Sequence, residues 1–309
     1  MNNTAKLPLH GVRVLDLAEG KVEMTGRLLA DMGADVFRVE PREGAASRRR
    51  EPLHAGVSIY FETHNVNKRG LALDLGDEDD RAVLLRLVAD ADIFIEAERP
   101  GALAALGLGV EDLQEVNPRL VVISISDFGQ TGPYRDWTGT NWTQMAAAGV
   151  LSRSGIPGRA PVQPPGELAI EATAVQAAYA ALLAYYHRLN TGTGEYVDAS
   201  VFESTVQVMD PPLGVGGSAT GGLSMLNLGR GRPDMSHLYP IYECADGYVR
   251  ALMLSKRQWH AMFRWLGSPE EFNDPTYDAT PARREAAPRL RELITELFSA
   301  KTGPALIQR

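Results

Sequence analysis

Apolar and polar positions alternate along the first half of the chain in blocks that predict strands and helices in turn. Short apolar runs bounded by turn residues are typical of buried strands, and apolar residues spaced three or four apart are typical of helices. The predicted strands are Val12–Ala18, Ala34–Glu40, Gly70–Leu75, Asp92–Glu96 and Leu120–Ser126, and the predicted helices are Met24–Met32, Asp79–Ala89 and Val110–Val116. This alternation predicts an α/β fold with a Rossmann-like, open parallel sheet and helices on both faces.

The pattern changes in the second half of the chain. An alanine-rich helix is predicted at 170–188, a strand at 195–200 and a helix at 201–209. Residues 210–236 are rich in Gly and Pro and are interpreted as a linker, whose glycine-rich loop Gly214–Gly217 is either a mobile cover or a plain connection. A hairpin at 239–253 around Asp246-Gly247 and helices at 258–266 and 283–299 follow. We therefore predict a large domain (1–209), a linker (210–236) and a smaller α+β lobe (237–309).

Composition and charge narrow the class of protein. The 309 residues are 44% hydrophobic and 23% charged, which excludes a disordered chain. The net charge of −8 disfavours nucleic acid as a partner, and the run Arg48-Arg49-Arg50 is either a solvated loop or an anion site. The first residues lack a cleavable signal pattern, and the apolar segment Ala172–Tyr186 is too short to span a bilayer. We expect a cytoplasmic protein without a membrane partner.

Common cofactor motifs are missing from the sequence. The loop at 18–26, after the first predicted strand, lacks the spaced glycines of classical dinucleotide binding, and no GxxxxGK[ST] phosphate loop is found. The six histidines are scattered without metal-ligand spacing, so no metal site is predicted. The single cysteine, Cys244, is expected to be a small buried apolar side chain.

Several blocks of the sequence together resemble one enzyme family. Residues 8–17 and 28–41 (PLHGVRVLDL and LLADMGADVFRVEP) are similar to the opening of family III CoA-transferases, which include formyl-CoA and carnitine CoA-transferases and α-methylacyl-CoA racemases. Residues 65–75, 91–102, 117–120, 128–133 and 188–194 resemble later blocks of that family in the same order. No single block would suffice, but their order from Pro8 to about Gly267 favours this family.

The resemblance implies a fold, a substrate and a partner. Family members pair an open Rossmann-like domain with a small lobe, and two chains interlock as a dimer. The resemblance also implies that coenzyme A or acyl-CoA lies across the carboxyl ends of the parallel strands. The candidate CoA-binding residues are Arg38, Asn67, Lys68, Leu73, Ala97 and Arg99. Arginine and lysine suit phosphate oxygens, although Arg38 and Arg99 could instead pair with Glu40 and Glu98 at the surface.

The catalytic carboxylate of the transferases is the main departure from the resemblance. Counting back from Arg188 places the family's aspartate at Ala169 or Ile170, neither of which is acidic. The nearby Glu171 is the candidate nucleophile, because a helix N-terminus stabilises its anion; alternatively, it only favours the helix. Thr140 stands where the racemases have a histidine, which disfavours racemase chemistry because threonine cannot shuttle a proton at neutral pH.

We therefore predict a CoA-transferase that moves CoA between an acyl-CoA donor and a carboxylic acid acceptor through an enzyme carboxylate. Two alternatives stay open: a catalytically silent subunit of a heteromeric CoA-transferase, and, less favoured, an acyl-CoA racemase or epimerase. A homodimer, or a heteromer with a related subunit, is expected. Glu19 and Glu23 stand where small residues normally approach CoA, which is unfavourable for its phosphates. Family members usually continue beyond Thr302, so the small lobe is expected to be truncated.

Overall fold

The computed structural model describes residues 7–154, 159–208, 240–253 and 255–307. The chain divides into two compact units, of which the larger contains residues 7–154 and 162–208 and the smaller consists mainly of residues 240–253 and 255–307. The predicted linker at 210–236, with its glycine-rich loop Gly214–Gly217, lies outside the described residues.

A six-stranded parallel sheet forms the centre of the larger unit. The strands described in this unit are β1 (Arg13–Asp16), β2 (Asp35–Glu40), β3 (Leu53–His54), β4 (Val57–Ser58), β5 (Arg69–Ala72), β6 (Ile93–Glu96), β7 (Val121–Ser126) and β8 (Tyr196–Ser200). The sheet order is β5-β2-β1-β6-β7-β8 with every neighbouring pair parallel, while β3 and β4 form a separate hairpin. The strand order reverses between β1 and β6, and such a switch point leaves a crevice at the carboxyl ends of the strands.

Helices cover both faces of this sheet. Those of the larger unit are α1 (Met24–Asp31), α2 (Ile59–Asn65), α3 (Glu78–Val88), α4 (Val110–Val116), α5 (Asn141–Ala147), α6 (Leu168–Thr191) and α7 (Val201–Val208). Because successive side chains of a strand point to opposite faces, β1 contributes Val14 to the apolar layer under α1 and α6, and Leu15 to the layer under α3 and α4. The continuous apolar runs of the sequence are therefore strands buried on both faces.

The strands and longer helices predicted for this unit are confirmed to within a few residues at their ends. Two short helices, α2 and α5, occupy segments for which the apolar pattern predicted no element, because several of their buried positions are polar: Asn65 in α2, and Asn141 and Gln144 in α5. Each begins at a hydroxyl cap: Ser58 accepts from the N–H of Phe61, and Thr140 accepts from the N–H of Thr143.

Helix α6 is the one helix in the described ranges whose length and apolarity suit a membrane span. It runs for 24 residues, so the expectation that this segment is too short is wrong as far as length is concerned. Half of its most apolar window is buried, and Ala174, Ala177 and Ala181 pack in the apolar layer against the sheet. Such burial is typical of a central helix in a globular unit.

The smaller unit pairs a hairpin with helices. Its elements are β9 (Ile241–Cys244), β10 (Gly247–Arg250), α8 (Lys256–Trp265), α9 (Thr280–Glu285), α10 (Ala287–Ser299) and α11 (Gly303–Ile307). Cys244 is buried with Ile294 and Phe298, as predicted for a small apolar side chain. The single helix predicted at 283–299 is wrong, because the helix is divided at Ala286: Pro288 lies in the first turn of α10 and has no N–H to donate to a preceding turn.

Candidate active site

A cleft opens at the carboxyl ends of β1, β6 and β7, beside the point where the strand order reverses. Its volume is about 550 Å³. Its walls are the loops after β1 and β6, at residues 19–22 and 97–100, and the end of β7 with Asp127, at residues 125–127, together with residues 135–138 and Val201. Parallel α/β sheets bind ligands at this position, because strand ends and helix N-termini converge there. The cleft is therefore the candidate ligand site of the larger unit.

Lys21 connects two walls of the cleft. Its ammonium donates to both carboxylate oxygens of Asp127, at 2.8 and 3.0 Å, and to the carbonyl of Gly139 at 3.2 Å. Asp127 also accepts from the N–H of Gly139 at 2.8 Å, and Gln144 donates to the carbonyl of Asp127. The loop after β1 and the loop before α5 are thereby held to the end of β7, which fixes the shape of the cleft.

Two of the predicted CoA contacts, Ala97 and Arg99, line the cleft. Arg99 is exposed, and within the described ranges no ion pair joins it to Glu98 or to another carboxylate. The loop that carries it is fixed by Glu96, which accepts from the N–H of Glu98 at 2.7 Å. Burial raises the pKa of Glu96, while its hydrogen bonds to Ser124 and to the Glu98 N–H oppose the rise. The loop therefore presents Arg99 as a cation available to an anionic ligand.

Arg38 and Lys68 lie in a buried network of charges, whose members do not line the cleft. The Arg38 side chain is 2% exposed and contacts Glu23 at 3.3 Å and Asn65 at 2.9 Å. Lys68 Nζ donates to Asp16 at 2.7 Å, to Asn65 at 2.8 Å and to the carbonyl of Glu23 at 2.6 Å. Burial lowers the pKa of Lys68, although Asp16 opposes this. The two cations and two carboxylates neutralise one another beneath the loop that follows β1.

The network changes the expectation that two acids would repel phosphates in the cleft. Glu23 is fully buried, and its carboxylate accepts from Asn65 at 2.6 Å and from the N–H of Gly20 at 2.8 Å. Only Glu19 of the two acids lines the cleft, and it accepts from the N–H of Ala46 at 2.8 Å. On α1, a Cβ at Gly26 would overlap the Asp16 carboxylate, so glycine lets the helix lie against this network.

Two arginines of the run at 48–50, Arg48 and Arg50, bind the protein's own carboxylates. Arg48 contacts both carboxylate oxygens of Glu40, at 2.6 and 2.7 Å, and holds the pKa of Glu40 below its ordinary value. Arg50 contacts Glu167 at 2.8 Å. Neither a solvated loop nor an anion site describes these two arginines. The surface pair suggested for Arg38 and Glu40 is also wrong, since Arg48 occupies that carboxylate.

The remaining predicted CoA contacts, Asn67 and Leu73, lie away from the cleft walls. Asn67 has a left-handed backbone with φ of 70° and donates to Asp31 at 2.7 Å. Leu73 is buried in the apolar layer under α3 and α4. Of the six predicted residues, the structure therefore brings only Ala97 and Arg99 together at the cleft.

Glu171 forms a pair with His64, a residue that the sequence did not single out. Glu171 lies in the first turn of α6, and its Oε1 is 2.7 Å from Nε2 of His64. The other ring nitrogen of His64 lies 2.8 Å from the carbonyl of Tyr60, and the two rings stack at 3.9 Å. Burial lowers the pKa of His64. The hydrogen bonds to Glu171 and to the Tyr60 carbonyl raise it, as do the charges of Glu171 and Glu23. Together they outweigh burial, so the pKa of His64 lies above its ordinary value.

The positions at which the resemblance predicts the family's catalytic residues make structural contacts. Ala169 and Ile170 are buried, and the N–H of Ala169 donates to Oδ1 of Asn141 at 2.9 Å. The hydroxyl of Thr140 accepts from the N–H of Thr143 and caps α5. Glu171 is thus the nearest acid to the expected position on the C-terminal side, and Thr140 provides no acid–base group for racemase chemistry. Among the residues described, no three His, Cys, Asp or Glu side chains converge as metal ligands would.

The sequence contains a weak signal for the position of His64, which the sequence alone did not identify as a site residue. In SIYFETHN, at residues 58–65, Ser58 precedes a short helix that it caps, which is a helix-start signature. Tyr60 and His64 are four residues apart and therefore lie on one helix face. The contact of His64 with Glu171, 107 residues further along the chain, depends on the tertiary structure, so the sequence did not reveal it.

Comparisons with known proteins identify the family of the chain and agree with the fold. The family model described as CoA-transferase family III matches residues 9–309. The protein named "Probable CoA-transferase Rv1866", from Mycobacterium tuberculosis, is 44% identical over 298 residues, which are 95% of this chain and 38% of that protein. The succinyl-CoA–L-malate CoA-transferase beta subunit of Chloroflexus aurantiacus is 30% identical over 318 residues, which are 99% of this chain and 76% of that protein. The chain thus spans well under half the length of the first relative.

Solved structures give the same family. A CAIB/BAIF family protein from Brucella suis superposes with a TM-score of 0.79 at 28% identity, over 98% of this chain and 81% of that one. Rv3272 from M. tuberculosis superposes with a TM-score of 0.83 at 27% identity, over the same shares of the two chains. The family model matches nearly the whole chain, and the similar proteins are named as CoA-transferases. The chain therefore belongs to CoA-transferase family III.

Proposed function

We propose that this chain transfers CoA between carboxylic acids, with Glu171 as the carboxylate that receives the acyl group from an acyl-CoA. The observation that carries the proposal is the placement of Glu171 in the first turn of α6, beside the buried Ala169 and Ile170, with one carboxylate oxygen bound by His64. Family membership supports the class of reaction. Succinyl-CoA appears in the names of three similar proteins, which makes it the first donor to test.

The proposed reaction exchanges one anion for another at each step. Glu171 attacks the thioester carbonyl, the C–S bond breaks, CoA leaves as a thiolate, and an acyl–glutamyl anhydride forms. The thiolate then attacks the glutamyl carbonyl, which releases the first acid and leaves CoA as an enzyme thioester. The acceptor carboxylate repeats the two steps in reverse, which regenerates Glu171. Fixed cations and a helix N-terminus stabilise such anions best when they are already in place before the reaction.

The cleft at the switch point is the proposed site of the CoA phosphates. Arg99 is an exposed cation in its wall. The other two cations there, Lys21 and Arg135, are paired with Asp127 and Asp136. Arg38 and Lys68 contribute indirectly, because their buried network supports the loop that forms the opposite wall. Arg99 is therefore the proposed phosphate ligand of the cleft.

Trapping the enzyme-bound intermediate tests the proposed function. The full chain is incubated with succinyl-CoA and then with hydroxylamine, which converts an activated carboxyl group into a hydroxamate, and the digest is read by mass spectrometry. Modification of Glu171 is the expected result. Modification of Glu167 or another acid, or transfer without modification of Glu171, would contradict the proposed role.

Arg99→Met is expected to weaken CoA binding about 10- to 100-fold, because a charge-assisted contact to phosphate is lost in an otherwise unchanged cleft. Isothermal titration with free CoA measures the dissociation constant. Arg86→Met is the matched control, because Arg86 is exposed on α3, outside the cleft walls. Equal affinities of the two variants would exclude Arg99 as a phosphate ligand.

We also propose that two copies of this chain associate, as the resemblance to interlocked dimers implies. The exposed face of α6 carries an apolar stripe of large side chains, each more than half exposed: Val175, Tyr179, Leu183, Tyr186 and Leu189. Sedimentation velocity of the purified chain is expected to show a dimer that Tyr179→Lys dissociates, because the lysine places a charge within the stripe. A monomeric wild-type chain would refute this association. A cytoplasmic location stays a prediction.

A second candidate function is a catalytically silent subunit of a heteromeric CoA-transferase. It is favoured by the apolar, buried residues Ala169 and Ile170 at the position expected for the nucleophile. Two similar proteins are named as a beta subunit and as subunit BbsE. In that case the chain binds CoA but transfers it only with a partner that carries the nucleophile. Transfer by the purified chain alone, lost on removal of Glu171, would rule out this function.

A further inference from the structure

His64 and Glu171 are 107 residues apart in the sequence and meet at 2.7 Å. We propose that His64 is a positioning residue for Glu171: as an imidazolium it binds Oε1 and leaves Oε2 as the oxygen that attacks the thioester. This inference rests on the proposed function, because it gives His64 a role toward the nucleophile assigned there. In the described part of the chain, no hydrogen bond is made to Oε2 of Glu171.

The hydrogen-bond partners of His64 determine where its protons lie. Nδ1 lies 2.8 Å from the carbonyl oxygen of Tyr60, which can only accept, so Nδ1 carries a proton. The hydroxyl of Thr63, 3.0 Å from Nδ1, lies closer to the carbonyl of Ile59, at 2.8 Å, and donates there. Nε2 faces a carboxylate oxygen of Glu171 at 2.7 Å, a distance that requires one proton between the two atoms. The pair therefore shares one proton, which is on His64 whenever Glu171 is ionised.

The histidine's own helix gives it a stacking partner, and the acid of that helix, Glu62, is exposed. The ring of Tyr60 lies 3.9 Å from that of His64, with an angle of 19° between the planes. Burial raises the pKa of Tyr60, and the nearby acids raise it further, so its phenol stays neutral. The charges that raise the pKa of His64, those of Glu171 and Glu23, come from other elements.

Charged groups outside α2 lie near the pair. Glu23, before α1, is bound by Arg38, and Glu167, at the start of α6, is bound by Arg50, which follows the short helical turn at 46–49. Of the three carboxylates Glu23, Glu167 and Glu171, only Glu171 is bound by the histidine and not by one of these arginines. One imidazolium is therefore matched to one carboxylate, as an ion pair across the gap between α2 and α6.

Losing the shared proton changes the site in a definite direction. A neutral Nε2 presents a lone pair to the carboxylate, and two acceptors repel each other. Because the pKa of His64 lies above its ordinary value of 6.5, the ion pair is complete below pH 6.5 and is lost as the pH rises through the raised value. Acylation of Glu171 is therefore expected to fall along an alkaline limb whose apparent pKa belongs to the pair.

The pH dependence of Glu171 acylation tests this role. In single turnovers of the full chain with succinyl-CoA, the wild type is expected to show an alkaline limb above pH 6.5. His64→Gln keeps a neutral N–H donor that does not titrate, so it should acylate about 10- to 100-fold more slowly at the optimum and lose this limb. His187→Gln is the matched control, because His187 pairs with Glu195 at 3.0 Å near the other end of α6. It should keep the wild-type rate and profile.

The possible outcomes separate this inference from the function on which it rests. If Glu171 is acylated but His64→Gln keeps the wild-type limb, the positioning role is wrong and the proposed function stands. If Glu171 is not acylated at any pH, both fail. An NMR titration of the His64 ring in the resting protein needs neither turnover nor the His64 variant. It should give a pKa above 6.5 that falls in Glu171→Gln, and an unshifted titration would overturn the inference.

Discussion

Replacing Glu171 with glutamine is expected to lower kcat/KM for CoA transfer by about 10⁴-fold or more, because the amide has nearly the same shape but is not a nucleophile. The amide can still contact His64, so the fold around α2 and α6 should persist. Affinity for free CoA should be unchanged, since Glu171 does not line the cleft. Initial rates with succinyl-CoA as donor and L-malate as acceptor measure the first effect, and calorimetry measures the second.

Glu167→Gln is the matched control for this experiment. Glu167 lies one helical turn earlier, its side chain is 32% exposed against 35% for Glu171, and Arg50 binds it. Its removal should cost less than about 10-fold, because it takes no part in the covalent step. Full activity of Glu171→Gln would move the nucleophile elsewhere, whereas a wild-type chain that binds CoA but transfers none alone would favour the silent subunit.

Replacing Lys68 with methionine is expected to lower the free energy of unfolding of the larger unit by about 3–5 kcal/mol, the range for breaking a buried ion pair by removal of one partner. The side chains of Lys68 and Asp16 are 1% and 0% exposed. Methionine fills a similar volume but leaves the Asp16 carboxylate buried without its cation, and it removes the donor to Asn65 and to the Glu23 carbonyl. Urea unfolding followed by circular dichroism measures the change.

The neighbouring residue supplies the control for the buried pair. Arg69 contacts Asp35 at 3.1 Å, with side chains that are 65% and 41% exposed. Exposed ion pairs contribute little, so Arg69→Met should change stability by less than about 1 kcal/mol. If the two variants unfold at the same urea concentration, the buried network is not what stabilises the Asp16 carboxylate.

The fold was predictable wherever burial imposes a pattern on the sequence. Strands β1, β6 and β7 are covered on both faces, so most of their positions are apolar and the runs are recognisable in the sequence. Helices α2 and α5 bury polar side chains such as Asn65 and Gln144, so they show no apolar period, and single hydroxyl groups on Ser58 and Thr140 set where they begin. The helix break at Ala286 depends on Pro288. It was not predicted, because the apolar period of the sequence continues across it.

The site was predictable only where the backbone alone fixes a residue. Arg99 follows β6 directly, so the sheet topology places it at the cleft whatever its neighbours are. Arg38 and Lys68 have the right chemistry for phosphate, but their carboxylate partners come from other elements, up to 52 residues away along the chain. The sequence cannot show that those partners already neutralise them. The pairing of His64 with Glu171 was missed for the same reason.

The mixed signs of the charges around the cleft bear on how a nucleotide reaches it. Four acidic and three basic side chains line its walls: Glu19, Glu98, Asp127, Asp136, Lys21, Arg99 and Arg135. The whole chain carries a formal charge of −8. A polyanion approaching from a distance therefore gains no electrostatic steering, and diffusion with shape complementarity governs the frequency of productive encounters. Because there is little long-range attraction between the nucleotide and the cleft, dissolved salt has little to screen. Binding therefore depends on contacts that form once the nucleotide is within a few ångströms of the cleft.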